Sequence, residues 1–278
     1  MTLVDKFGAH GARLVTGAAL AVVTAACLIL GGWPFFFLAL LAGLAATWEF
    51  LALTRTSLPG RIITLCAMVG GMLAVQLGQP AVAVAVLGLT WWLGSLGFLL
   101  RSGTADATGW LVWQTPASAL LYIAAPLCIA LSWTPWQNAL VLAATIATDV
   151  GAYYAGHLIG GPKLWPSVSP KKTWAGSLGG LAAALVLTTG AGLLWGTTLV
   201  GLSPDASTFS VWTWLALGAT ISVAAQLGDL FESALKRHAG VKDSGTLLPG
   251  HGGVLDRIDG LLAAAPAAAL FVFVWKML

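Results

Sequence analysis

Nine stretches of apolar residues, separated by short runs of Gly, Pro and charged positions, divide this chain: 14–31, 34–53, 61–78, 81–100, 110–132, 138–159, 175–196, 211–232 and 259–276. Each is close to the roughly 20 residues that cross the hydrocarbon core of a bilayer. In hydrocarbon a helix is the one open-ended structure that satisfies its own backbone hydrogen bonds, so all nine are predicted to be helical. Pro126 and Pro266 fall inside spans, where neighbouring helices tolerate the break. The longest polar connections are 160–174 and 233–258, and no soluble domain fits between the spans. The pattern predicts an all-α, polytopic membrane protein.

Composition agrees. Charged residues make up 8 % of the 278 positions and hydrophobic ones 58 %, against about 25 % charged in a soluble domain. A net charge of +3 is too small to point to a nucleic-acid partner. Its distribution says more. Lys6, Arg13, Arg55, Arg61, Arg101, Lys163, Lys171, Lys172, Lys236, Arg237, Lys242 and Arg257 fall on alternate connections, and Lys276 alone falls on the other side. The positive-inside rule then predicts a cytoplasmic N-terminus and an outer C-terminus. Trp33, Trp133, Trp136, Trp195, Trp212, Trp214 and Trp275 would form an aromatic belt at the outer interface. Cys27, Cys66 and Cys128 sit within apolar runs and give neither a disulfide framework nor a zinc spacing. No cleavable signal peptide stands out.

Acids inside spans change the picture, because each costs roughly 3 kcal/mol to insert and so tends to mark a site. Glu49, Asp149, Asp229 and Asp259 all fall in the cytoplasmic half of a span or at its cytoplasmic end. Asp229 and Glu232 are three apart on one helical turn, as are Asp256 and Asp259. Converging carboxylates need a cation, and hard oxygen ligands favour Mg²⁺, which is usually shared with phosphates. The simpler alternative is that these acids cap helices or pair with bases. It is favoured for Glu49, which has Arg55 nearby, and is open to Asp259 at a helix start.

Basic residues accompany the acids. The connection GGPKLWPSVSPKKTW, 160–174, places Ser169, Lys171, Lys172 and Thr173 just before a helix start, where side chains and free N–H groups suit a phosphate. Lysines of this kind also enforce orientation and touch anionic headgroups. The GHGG run adds Gly252 and Gly253, whose missing side chains let the backbone approach a phosphate. His251 there is either a metal or phosphate ligand or a plain hydrogen-bonding residue.

The run SALKRHAGVKDSGTLLPGHGGVLDRID, Ser233 to Asp259, resembles the signature of the phosphatidate cytidylyltransferases. Its fixed positions are all present: Ser233, Lys236, Arg237, Lys242, Asp243, Gly245, His251, Gly252, Gly253, Asp256, Arg257 and Asp259. GDLFES (228–233), SPKKTWAG (169–176) and DVGAYYAG (149–156) are similar to further segments of that family. The resemblance covers about the C-terminal half. Ala175 departs from it, since relatives often carry Glu there; Glu232 is one candidate to take over.

The resemblance implies transfer of CMP from CTP to phosphatidic acid, giving CDP-diacylglycerol and pyrophosphate at a cytoplasm-facing site in the cell membrane. It implies Mg²⁺, with room for a second cation, held by Asp229, Asp256, Asp259 and Asp149. Catalytic roles fall to Asp229, Asp256, Asp259, Lys236 and Arg257. Substrate binding falls to Ser169, Lys171, Lys172, Thr173, Ser233, Arg237, Lys242, His251, Gly252 and Gly253. Residues 1–137 would form scaffold and lipid pocket, and 138–278 the catalytic region with its two loops. A homodimer is compatible with the pattern. The rival readings are a CTP-dependent transferase or kinase for another lipid phosphate or a polyprenol, and a cation-coupled transporter. Transport would need polar residues through the outer half of the bundle, where the chain carries almost none.

Overall fold

In the computed structural model the described residues are 3–101, 109–199, 210–248, 250–275 and 277. Ten α-helices dominate: α1 (Leu3–Leu30), α2 (Gly32–Leu53), α3 (Leu58–Gln76), α4 (Pro80–Arg101), α5 (Gly109–Ala119), α6 (Ala125–Leu131), α7 (Pro135–Leu158), α8 (Trp174–Leu199), α9 (Val211–Ala239) and α10 (Leu255–Trp275). Eight segments among the described residues are long and apolar enough to cross a membrane, and Val15–Leu30 is a shorter apolar helix. Each of the nine expected spans is helical. The side chains of Lys6, Arg13 and Arg101, and the whole of Lys276, lie outside the described residues.

Three departures from a row of plain helices have local causes. The fifth span is α5 and α6 joined by a π-helical segment, Leu120–Ala124. Pro126 lacks an N–H and its ring crowds the carbonyl of Tyr122, four residues back, so the wider π turn relieves the clash. The connection 160–174 is a hairpin: β1 (Lys163–Trp165) pairs antiparallel with β2 (Ser169–Thr173), with Lys163 opposite Thr173 and Trp165 opposite Ser169. The third departure is in α9, which outruns its apolar stretch to Ala239. There Gly240, in left-handed backbone at φ 75°, closes it, and Lys236, Arg237 and His238 complement the negative end of the helix dipole.

The chain packs as two compact units, Met1–Ser132 with Val241–Arg257, and Trp133–Gly240 with Ile258–Leu278. Division of the sequence at 137 and 138 would assign 241–257 to the C-terminal half, whereas this segment packs with the first unit. The core of the first unit includes Phe36, Ala46, Leu51, Met68, Met72, Ile123 and Leu255. That of the second gathers Leu140, Val141, Ala144, Trp214, Leu217, Ile221, Ala225, Ala264 and Ala268. Trp214, expected in the aromatic belt, is thus a core residue. Its ring lies against Gly192, where no side chain would fit, and its carbonyl accepts a hydrogen bond from Thr188 Oγ1 at 3.2 Å.

Candidate active site

In the second unit, α7 carries Asp149, Ala152, Tyr153, Gly156 and His157 at helical spacing, so they share one face. Helix α8 packs against it with backbone nearly touching backbone. A Cβ added at Gly151 would come within 2.6 Å of the Gly179 carbonyl oxygen, and one at Gly176 within 2.8 Å of the Ala152 oxygen. Small residues permit such crossings in membrane helices. Thr173 ends β2 and caps α8: its Oγ1 accepts the Gly176 N–H at 3.1 Å. Lys171 and Lys172, on β2, therefore stand directly before a helix N-terminus.

Helix α9 supplies the opposite wall with Gln226 and Asp229, one turn apart. Ser177 Oγ donates to Gln226 Oε1, and Gln226 Nε2 donates back to the Ser177 carbonyl at 3.2 Å, which ties α8 to α9. The space so enclosed is a cavity of about 500 Å³, lined by Asp149, Tyr153, His157, Lys171, Lys172 and Asp229 among others. Lys172 Nζ is ion-paired with Asp229 Oδ2, and Ser233 Oγ donates to Asp229 Oδ1 at 3.4 Å. Tyr153 and His157 lie with parallel rings 6.1 Å apart.

Asp259 belongs to the same unit. A Cβ at Gly228 would meet the Asp259 carbonyl oxygen at 2.5 Å, so the glycine preceding Asp229 is what lets α10 approach α9. Asp259 Oδ1 accepts the Gly260 N–H at 2.8 Å, and Asp229, Lys236 and Asp149 are its charged neighbours. Lys236 is ion-paired with Glu232, whose side chain is fully buried. Arg237 Nε reaches the Val168 carbonyl at 3.4 Å and so holds the hairpin turn. Ala175 is half-buried and is not one of the cavity-lining residues.

The first unit uses its acids differently. Asp256 Oδ2 accepts from Ser244 N at 2.9 Å, Ser244 Oγ at 3.0 Å and Gly253 N at 2.8 Å, which folds 244–256 into a closed loop. Glu49, in the last turn of α2, is 3 % exposed. It accepts from Val254 N at 3.0 Å, Leu255 N at 2.8 Å and Ser244 Oγ at 2.9 Å. The expected pairing with Arg55 is not made among the described residues. Arg55 instead takes left-handed backbone, φ 55°, as α2 ends with the Thr56 N–H on the Leu51 carbonyl. The anion at the α10 N-terminus is thus a protein carboxylate. A side chain at Gly245 or Gly253 would strike Glu49, a reason for glycine that differs from room for a phosphate. His251 Nδ1 is buried without a hydrogen-bond partner among the described residues, and Arg257 Nε donates to the His251 carbonyl at 3.1 Å.

Sequence reasoning singled out Asp149, Lys171, Lys172, Thr173 and Asp229, which line the cavity together, but missed Tyr153, His157, Ser177 and Gln226 as lining residues. Spacing held the missing signal: Tyr153 and His157 follow Asp149 by four and eight positions, and Gln226 precedes Asp229 by three.

This chain belongs to the cytidylyltransferase family, which it matches over residues 11–275. It is similar to the phosphatidate cytidylyltransferase of Brucella suis, 35 % identical over 269 residues that cover 93 % of this chain and 92 % of that protein. The phosphatidate cytidylyltransferase of Mycobacterium bovis is 32 % identical over 284 residues, 92 % of this chain and 86 % of its own. That of Staphylococcus haemolyticus is 44 % identical over 119 residues, covering 43 % of this chain and 42 % of its own.

Proposed function

We infer that this protein transfers CMP from CTP to phosphatidate, yielding CDP-diacylglycerol and pyrophosphate. The structural observation that supports it best is the cavity of the second unit, about 500 Å³, where two lysines precede a helix N-terminus and share the lining with Asp149 and Asp229. In this reaction a phosphate oxygen of phosphatidate attacks the α-phosphorus of CTP. The new P–O bond forms as the bond to the α–β bridging oxygen breaks, and that electron pair leaves with pyrophosphate. The attacking oxygen is already anionic, so no general base is required. Catalysis is then mostly positioning and the neutralisation of charge.

Lys171 and Lys172 are placed to receive phosphate oxygens. Asp229 keeps Lys172 extended over the cavity until a phosphate takes its place. Tyr153 and His157 form the aromatic side of the same space. Lys236, Arg237, Lys242, Arg257, Ser233, His251 and Gly252 carry over as substrate-binding or catalytic residues by resemblance to the family signature.

No group of three or more His, Cys, Asp or Glu among the described residues forms a ready metal cage. The donor chemistry nevertheless suits Mg²⁺, which prefers one or two carboxylates and fills its remaining positions with water and phosphate oxygens. Asp229 would hold it with water and phosphate oxygens, with Asp259 and Asp149 as the neighbouring acids that could add a further carboxylate oxygen. A bound Mg²⁺ would supply charge neutralisation between the two substrate phosphates. Asp256, proposed from the sequence as a fourth ligand, has Oδ2 committed to its loop. We place the cavity on the cytoplasmic side of the cell membrane, where the basic loops and CTP both lie.

The test is CMP transfer by the protein purified in detergent, with radiolabelled CTP and a panel of phosphatidate, diacylglycerol, polyprenol and polyprenyl phosphate. CDP-diacylglycerol formed from phosphatidate, lost on chelation and restored by Mg²⁺, is the expected result. Faster turnover of another acceptor would overturn the substrate, and full activity in chelator would overturn the metal.

A further inference from the structure

The cavity of the second unit has an aromatic side that charge neutralisation leaves without a task. Tyr153 and His157 are one turn apart on α7, and their rings lie parallel to within 3°, with centroids 6.1 Å apart. Neither ring fills a core: Tyr153 keeps 68 % of its exposure, and His157 is exposed as well. An exposed aromatic at the end of a membrane helix commonly marks the interface. That suffices for the adjacent Tyr154, which is 60 % exposed and is not one of the cavity-lining residues. It does not explain why Tyr153 and His157 both line the cavity.

The lysines are close by. Gly156, between the two rings in sequence, lies against Thr173: a Cβ there would meet Thr173 Oγ1 at 3.2 Å. Thr173 directly follows Lys171 and Lys172, so β2 brings its two cations beside the aromatic pair. Two kinds of recognition thus adjoin in one space of about 500 Å³, a size ordinary for a small-ligand site. Cations before a helix N-terminus suit phosphate. Parallel rings suit a flat π-system, which can lie along both without tilting. A ligand with a phosphate chain at one end and a planar ring at the other meets both, and a nucleotide is such a ligand. A lipid phosphate has no planar ring to offer.

We propose that Tyr153 and His157 form the stacking platform for the pyrimidine base of the nucleotide substrate. The proposal rests on the function inferred above and names the side of the cavity that takes the base. Stacking engages the face of a base and not its hydrogen-bonding edge. The platform therefore supplies affinity for the nucleotide, not the choice between cytosine and uracil.

The experiment uses the full chain in detergent, with Tyr153→Ala, Tyr153→Phe, His157→Ala and Tyr154→Ala compared with the wild type. For Tyr153→Ala, KM for CTP should rise roughly 5- to 100-fold, the scale of one lost base–aromatic stack. Its kcat should stay within about threefold and KM for phosphatidate within about twofold. Tyr153→Phe keeps the ring and should return KM for CTP to the wild-type value. His157→Ala should show the same CTP-selective rise, and Tyr154→Ala should show none. Unfolding temperature is read with CTP and with inorganic tripolyphosphate. Tyr153→Ala should lose much of the protection given by CTP and keep that given by tripolyphosphate. A wild-type KM for CTP in Tyr153→Ala, a rise shared equally with phosphatidate, or an equal rise in Tyr154→Ala overturns the proposal. If Tyr153→Ala does not fold, an unchanged KM for CTP in His157→Ala overturns it. Protection is read without phosphatidate, so the two failures separate. A wild-type protein that CTP stabilises but that leaves phosphatidate unmodified disproves the acceptor and leaves the platform test standing. Equal CTP protection of the wild type and Tyr153→Ala disproves the platform and leaves the acceptor standing.

Discussion

In the first unit Glu49 is 3 % exposed and its two oxygens are taken up by two backbone amides and a serine hydroxyl, whereas in the second unit the Asp229 side chain keeps 35 % of its exposure and answers a lysine that is itself 28 % exposed. Both are acids on membrane helices, and both carry the insertion cost of such residues. Fixed amides cannot leave Glu49 without the loop coming apart. A lysine on a flexible stem can leave Asp229 when a phosphate arrives. The first arrangement suits a permanent joint, and the second an exchangeable contact. Glu232 shows a third solution, a fully buried acid with its lysine one turn along the same helix.

The contrast breaks most sharply at the second-unit acids. Asp259→Asn and Asp229→Asn should each lower CMP transfer by about 1000-fold, the scale seen when a group that stabilises transition-state charge is removed. Unfolding temperature in detergent should move little, since the half-exposed Lys172–Asp229 pair contributes at most about 1 kcal/mol. Near-wild-type turnover in both variants would remove the site from this cavity. Glu49→Ala should behave in the opposite way and destabilise the first unit by about 3 kcal/mol, because it strands buried donors. A thermal scan that matches the wild type would show that water replaces the carboxylate without penalty. Next in size, Gly253→Ala pushes a methyl group against Glu49 Oε2 and Ser244 Oγ, and should cost about 2 kcal/mol as an overpacked contact. Combined with Ser244→Gly, much of that cost should be recovered in the same scan. Smallest of all, Ala175→Glu should change kcat/KM by no more than about twofold, as expected for a position outside the cavity wall. A Mg²⁺ titration of that variant with a clearly shifted midpoint would bring the position back into the site.

Much of this was legible from the chain itself. Apolar runs of span length are a strong signal because hydrocarbon leaves the backbone no alternative, and all nine are helical. The acids and lysines of the second unit were legible for a related reason: charge in a membrane is costly and so stands out. Three things were not legible. The hairpin at 163–173 hid in a Pro- and Lys-rich connection with no alternating pattern to reveal its two short strands. Trp214 looked interfacial from its place in the span, yet Gly192 opens a slot for it in the core. The partner of Glu49 lies so far along the chain that local spacing favoured Arg55, and only the folded loop discloses the true donors. Local reasoning finds unusual residues well, but it pairs them with sequence neighbours by default.

The crossing of α7 and α8 at Gly151, Gly176 and Gly179 has a consequence for how this cavity can vary. Ala152 and Gly176 line the cavity at that crossing, and a side chain at Gly176 would strike the Ala152 carbonyl oxygen, so this part of the wall cannot be reshaped by exchange at Gly176. Any residue larger than glycine there would force a helix to move. Variation in what the cavity accepts is therefore channelled to lining positions away from the glycine contacts, such as Tyr153, His157 and Leu164, where side chains can be exchanged while the crossing stays as it is.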